Sequence, residues 1–270
     1  MYCDLDIIYN PENPNSKINL YELIISAIID GYNIISVSII RKGIIKNEEI
    51  PNFDFLKIEE IQKIYPQYSI KFLNSENTKL INWTKIKILK RLTIELNEQK
   101  DIFQFTNPNN FIKFFDLIAI KPSNDKIFEG ILSAESNCDI IVLDLNEKFS
   151  FISKKKLLLS SIEKNSFFFE INYGKFVIDN ESRGGFISNF ILFNEIIKGK
   201  NLILSSGAEN YFMHRSPFDV ITIFETIFDI KHNIVKPMIS DNCLKVILKS
   251  HQRKFFKTTV DVNIKDKGNK

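Results

Sequence analysis

Short apolar runs separated by segments of helical periodicity recur along the chain, and this alternation constrains the fold more than any other feature. The runs are Cys3–Ile8, Ile34–Ile40, Ile86–Leu96, Phe115–Lys121, Asp139–Asp144, Phe167–Tyr173 and Asn201–Ser206. Between them, Ile18–Gly31 reads as a helix closed by glycine. Helical patterns also fill "DKIFEGILSAES", "KKKLLLSSIEK" and "SRGGFISNFILFNEIIKG". In "SPFDVITIFETIFDI", Ser216 suits the N-cap and Pro217 the first helical position. Strands alternating with helices predict βαβ units on a parallel sheet. Seven or so units over ~240 residues match an α/β, TIM-like barrel, whose usual size is ~250 residues. An open doubly wound sheet is the competing architecture, but no GxGxxG follows the first strand to support a dinucleotide site. The expectation is one barrel domain over residues 1–250, with a variable insert at about 41–87. That insert holds at best a short amphipathic helix in "FDFLKIEEIQKIYP".

The strand "ILKRLTIEL" carries two adjacent cations, Lys90 and Arg91. Successive strand side chains face opposite ways, so one charge points each way. Lys90 shares its face with Ile88, Leu92, Ile94 and Leu96, which suits packing against outer helices. Arg91 shares its face with Leu89, Thr93 and Glu95. The same parity puts Asp4 and Asp6 on one face of the first strand, against Cys3, Leu5 and Ile7, and aligns Phe168, Glu170 and Asn172. The expected polar lumen therefore holds Asp4, Asp6, Arg91, Glu95 and Glu170, and buried charges of opposite sign must satisfy one another there. Paired carboxylates could instead bind a divalent ion or act as acid and base at the barrel mouth. The structural reading is favoured. Only His214, His232 and His251 could supply imidazole, none lies in a strand, and Arg91 would compete with a cation.

Hydrophobic residues make up 44% of the chain and charged ones 26%, an ordinary globular balance that implies a sizeable core. Cys3, Cys138 and Cys243 form no CxxC pair, so neither a zinc site nor a disulfide framework is expected. The start "MYCDLDIIYNPENP" is no signal peptide, and no apolar run reaches the ~18 residues of a membrane span. The expectation is a soluble, intracellular chain with no membrane partner. Net charge is +3, but the residues from Lys245 onward carry +6, leaving −3 on residues 1–244. A basic segment of this kind favours an anionic partner such as RNA. Residues 251–270 read as a basic, disordered tail, which could equally be a merely solvated terminus.

Seven motifs, "YCDLDI", "ILKRLTIEL", "FDLIAIKP", "CDIIVLDL", "FFFEINYGKFVID", "GKNLILSSGAE" and "RSPFDV", occur in that order. Together they resemble the TIM-barrel protein subunit of ribonuclease P and ribonuclease MRP, the roughly thirty-kilodalton subunit, over Tyr2 to about Leu248. The resemblance implies a barrel similar to that of the polymerase-and-histidinol-phosphatase metal enzymes. That superfamily has a His-x-His on its first strand. Here Asp4-Leu5-Asp6 stands in that place, so no metal site and no catalytic residue are expected in this chain. It further implies a non-catalytic subunit of a ribonucleoprotein that removes the 5′ leader of precursor tRNA. The RNA and its magnesium ions carry catalysis, and the chain itself binds no cofactor. The implied partners are that catalytic RNA and a small RRM-like protein subunit, with precursor tRNA met indirectly. In a eukaryote the implied place is the nucleus and nucleolus, with a further role in ribosomal RNA processing; otherwise it is the cytoplasm. An autonomous metal-dependent phosphoesterase on the same barrel is the alternative, and a protein-binding scaffold without RNA contact is a third.

Residue by residue, the resemblance picks out Arg91 in "RLT", Asp4 and Asp6 in "DLD", Ser205, Ser206 and Glu209 in "SSxAE", and Arg215, Pro217 and Asp219 in "RxPxD". Arg183 stands alone before Gly184-Gly185, where the family tends to have a basic pair. Loops after the strands offer Lys121, Lys175, Arg183 and Arg215 as candidate RNA contacts through phosphates rather than stacked bases. The helix at 217–229 carries Phe218, Ile221, Phe224, Ile227 and Phe228, more than one face needs. Part of it is expected to dock the small subunit, unless all five face the barrel.

Overall fold

The computed structural model describes residues 1–13, 16–45, 53–65, 83–105, 113–134, 137–146, 149–164 and 167–255. Seven strands, β1 (Tyr2–Ile8), β2 (Tyr32–Lys42), β3 (Lys87–Leu96), β4 (Leu117–Pro122), β5 (Ile140–Leu143), β6 (Phe168–Asn172) and β7 (Leu202–Ser205), pair in chain order and all in parallel. A single bridge between Ile7 and Ala208, with Ile8 N donating to Ala208 O at 2.9 Å, brings the chain after β7 back to β1 and nearly closes a barrel. The helices are α1 (Ser16–Asp30), α2 (Ile58–Ile64), α3 (Asp125–Ser133), α4 (Lys155–Glu163), α5 (Gly174–Ile178), α6 (Arg183–Ile197), α7 (Pro217–Phe228), α8 (His232–Met238) and α9 (Asp241–Phe255). Among the described residues no helix is long and apolar enough to cross a membrane.

Strands buried on both faces need apolar residues on both, which explains their nearly continuous Ile, Leu and Phe runs. The outward residues, such as Ile35, Val37 and Ile39 of β2, join the helices in the main core. The inward ones form a second, smaller cluster of Cys3, Leu5, Ile34, Leu117, Phe168 and Ile203 with their neighbours. Cys243 and Val246 of α9 belong to this inner cluster, so α9 closes the barrel at the starts of the strands. Its anchors lie there as well. Arg253 pairs with Asp139 at 2.9 Å, just before β5, and Lys254 with Asp116 at 2.7 Å, just before β4.

Two boundaries drawn from the sequence move, and the alternative left open for α7 is decided. The tail cannot begin at residue 251, because 251–255 form the last turn of α9 and carry its two ion pairs; residues 256–270 lie outside the described ones. The supposed insert at 41–87 is the β2–β3 crossover of the barrel. β2 runs to Lys42, β3 starts at Lys87, and Phe53, Leu56 and Ile61 between them are buried in the main core. Its helix buries only Ile61, which is why periodicity hardly marked it; residues 46–52 and 66–82 lie outside the described ones. In α7, Ile221 and Phe224 are buried and Phe228 packs against Phe190, while Phe218 and Ile227 stay 66% and 46% exposed. The surplus apolar surface of α7 is thus two residues.

Candidate functional site

The strict two-residue parity of a strand holds for β3 and fails for β1. Arg91 points into the barrel and is fully buried. On β1, however, Cys3 pairs with Ile34, an inner residue, and Asp4 with Ile35, an outer one. The register then slips between Asp4 and Ile7, so that three steps on β1 match two on β2. Such a bulge re-aims side chains locally. Asp4 therefore turns to the seam between β1 and β7, where its Oδ1 accepts from Ser206 N at 3.0 Å. Asp6 turns back toward Arg91. The expectation that both share the lumen with Arg91 is corrected to Asp6 alone.

Inside the barrel Arg91 is held by four residues. Its Nη1 donates to Glu170 Oε1 at 2.8 Å and to Leu5 O at 2.7 Å, its Nη2 donates to Glu170 Oε2, and its Nε donates to Thr93 Oγ1 at 3.0 Å. Asp6 Oδ1 stands 3.7 Å from Nη2. Ser205 Oγ donates to Glu170 Oε1 at 2.6 Å, and Asn172 Nδ2 to Asp6 Oδ2 at 2.8 Å. Burial works against the guanidinium's charge, but Asp6 and Glu170 outweigh it and raise its pKa. Glu170 is raised as well, by its burial and by Asp6, because two carboxylates share one cation. The planar guanidinium fork suits this bridging role. Glu95, expected in the lumen, instead sits at the end of β3, part-exposed and 3.8 Å from Lys42. It is simply too far along the strand to reach the buried pair.

A divalent-metal site of paired carboxylates, the alternative weighed from the sequence, does not fit these residues. Arg91 already occupies the space between Glu170 and Asp6, and Asp4 faces the seam. Among the described residues no group of three or more His, Cys, Asp or Glu is placed to hold a metal.

The motif residues after β7 build the seam. Ser206 Oγ donates to Asp6 O at 3.3 Å and accepts from Ala208 N at 3.2 Å. Glu209 lines the mouth, a cavity of about 200 Å³ shared with Lys121, Asp144 and Lys175. Pro217 opens α7, with Ser216 Oγ accepting from Asp219 N at 3.2 Å and donating to its carboxylate at 2.8 Å. His214, which the sequence reading set aside, is buried beside this seam. Its ring nitrogens lie 3.7 Å from Asp4 and 3.4 Å from Asp30. No sequence signal joins residues so far apart.

Of the four basic candidates, only Lys121 and Lys175 line the mouth together. Arg183 donates to the carbonyls of Phe176 and Val177 at 2.9 and 2.7 Å, which ties the start of α6 to α5. Arg215 donates to the carbonyls of Phe212 and His214, and its own carbonyl accepts from Tyr32 Oη at 3.1 Å. Lys121 is paired with Asp144 at 3.2 Å. Burial would raise Asp144, yet Lys121, the Asn146 amide and Lys175 hold its pKa below the usual carboxylate value. A lowered acid contributes stability above its unfolded pKa and loses it as pH falls through the folded value. Asp144→Asn should therefore melt below the parent at neutral pH, and the gap should close as pH falls below the usual carboxylate value and through the lowered folded one. A gap that widened in acid would contradict the pairing.

A barrel closed by "SSGAE" and "RSPFDV" and locked by the Arg91–Glu170 pair accounts structurally for most of the motif residues. The family profile described as RNase P subunit p30 matches residues 1–255. The chain belongs to that family. It is 27% identical to Protein GAMETOPHYTE DEFECTIVE 1 of Arabidopsis thaliana over 99% of this chain and 47% of that protein. Ribonuclease P protein subunit p30 of Mus musculus is 32% identical over 63% of this chain and 62% of the mouse protein. The probable ribonuclease P protein subunit 3 of Schizosaccharomyces pombe is 23% identical over 94% of this chain and 95% of its own length. The chain thus spans about half the length of the Arabidopsis relative and under two thirds of the mouse one. A chain in the cryo-EM structure of archaeal ribonuclease P with mature tRNA shares the fold, with a TM-score of 0.57 at 14% identity, covering 98% of this chain and 100% of that one. Membership of the RNase P p30 family agrees with the barrel and with the order of the seven motifs.

Proposed function

We propose that this chain is a protein subunit of ribonuclease P, in which RNA removes the 5′ leader of precursor tRNA and the protein supports that RNA. The family match over residues 1–255 carries the reading. The buried Arg91–Glu170 pair supports it against an autonomous phosphoesterase, because a guanidinium stands where a metal-dependent enzyme would need open carboxylates. On this reading the magnesium ions belong to the RNA and the chain binds no cofactor. A small RRM-like subunit is its protein neighbour, ribonuclease MRP is a second home in a eukaryote, and the nucleus and nucleolus are its place there.

Affinity purification of the full-length chain, followed by sequencing of the bound RNA, tests this. One abundant structured RNA should co-purify, and the eluate should cleave precursor tRNA at the 5′ end of the mature sequence until treated with ribonuclease. A chain free of RNA, or one that carries a stoichiometric divalent metal and hydrolyses phosphoesters after ribonuclease treatment, would overturn the reading.

A further inference from the structure

The ends of the barrel differ in charge. At the mouth, Lys121 and Lys175 stand among Asp6, Asp144 and Glu209, and Lys121 is already paired. The opposite end, where the strands begin and α9 closes the barrel, is basic. Lys87 opens β3, Lys85 lies two residues before it and Lys113 just ahead of β4, and all three are exposed. Lys90 Nζ lies 5.5 Å above the ring of Phe114, and Lys90 N donates to Asp116 Oδ2 at 2.9 Å, which fixes β3 and the approach to β4 side by side. The acids of this sector, Asp116 and Asp139, are engaged by Lys254 and Arg253. Lys85, Lys87, Lys90 and Lys113 have no carboxylate partner among the described residues. Two aromatic rings stand open in this sector, Phe114 at 42% exposure under Lys90 and Phe255 at 63% with Lys254 Nζ 5.7 Å from its ring. The sequence that continues from Phe255 carries Lys257, Lys265, Lys267 and Lys270 against Asp261 and Asp266.

We propose that this basic end, around Lys87, Lys90, Lys113, Phe114 and Phe255, docks RNA, with the lysines on phosphates and the rings against unpaired bases. The inference rests on the reading of the chain as a subunit of an RNA enzyme and names the surface it uses. Lysines without a carboxylate partner among the described residues are suited to displace the counterions of a polyanion. Exposed rings among cations are the usual platform for unstacked bases. A protein partner here would have to bring a matching acidic face. The mouth, with its own acids, suits a polyanion less well.

The test uses the full-length chain and the RNA species that co-purifies with it, transcribed in vitro. The variant Lys87→Gln/Lys90→Gln/Lys113→Gln should bind that RNA at least about tenfold more weakly, and the slope of log K against log salt should flatten by about 2–3. Lys155→Gln/Lys156→Gln, on exposed positions of α4, should stay within about twofold of the parent, and melting curves should show all variants folded. The proposal is overturned if the triple variant binds as the parent does, if Lys121→Gln/Lys175→Gln causes the loss instead, or if the triple variant keeps RNA and loses a co-purifying protein. A parent chain with no RNA affinity would bring down the assignment to ribonuclease P as well. Loss confined to the triple variant supports the surface.

Discussion

Arg91→Ala should destabilise the fold by roughly 3–5 kcal/mol, the usual cost of removing one partner from a buried ion pair. Among the described residues the change leaves Glu170, fully buried, with only Ser205 to donate to it, leaves Asp6 with Asn172 but no cation, and removes the donor to the Leu5 carbonyl. Desolvation of these acceptors, rather than loss of attraction, sets the size of the effect. Arg91→Leu/Glu170→Leu removes both charges and should recover a good part of the stability, since apolar residues often replace a buried pair at little cost. Chemical denaturation of the three chains measures this. Lys90→Ala, on the other face of the same strand and part-exposed, should cost under ~1 kcal/mol. If Arg91→Ala kept its stability and lost only RNA affinity, the guanidinium would be acting on phosphate and the structural role would be wrong.

Phe190→Ala should cost about as much, roughly 3–5 kcal/mol. Phe190 is fully buried on α6 and packs against Phe186, Phe224 and Phe228, with ring centroids 6.2, 5.1 and 4.5 Å away. Those rings join α6 to α7, and Phe176 extends the cluster to α5. Truncation opens a cavity that neighbouring rings, fixed on separate helices, cannot collapse into. Phe218→Ala on α7, 66% exposed, should cost under ~1 kcal/mol. Equal losses for the two would mean that α7 packs through a different face.

The rhythm of strands and helices was legible in the sequence, and with it the barrel, because both depend on side chains close together in the chain. β3 was legible in detail. An unbroken strand keeps its parity, so Lys90 and Arg91 could be assigned to opposite faces without knowing their partners. Glu170 as the partner of Arg91 was nearly legible, since few charges lie on inward faces. The fate of the other acids was not. A register slip in β1 sent Asp4 to the seam, and such a slip is decided by how β2 and the residues after β7 pair with it. The β2–β3 crossover went unrecognised because its one short helix buries a single residue, too little for a periodic signal.

Charge shows the same division. The sequence determined how many cations stand near the end of the chain. Only the tertiary structure decided that Arg253 and Lys254 anchor α9 to the barrel while lysines from β3 and the approach to β4 gather beside them. Arg253 meets Asp139 across 114 residues, and Lys254 meets Asp116 across 138. Partners so distant in the chain are chosen by closure of the barrel, a property of all seven strands together, and no local pattern of residue types records it.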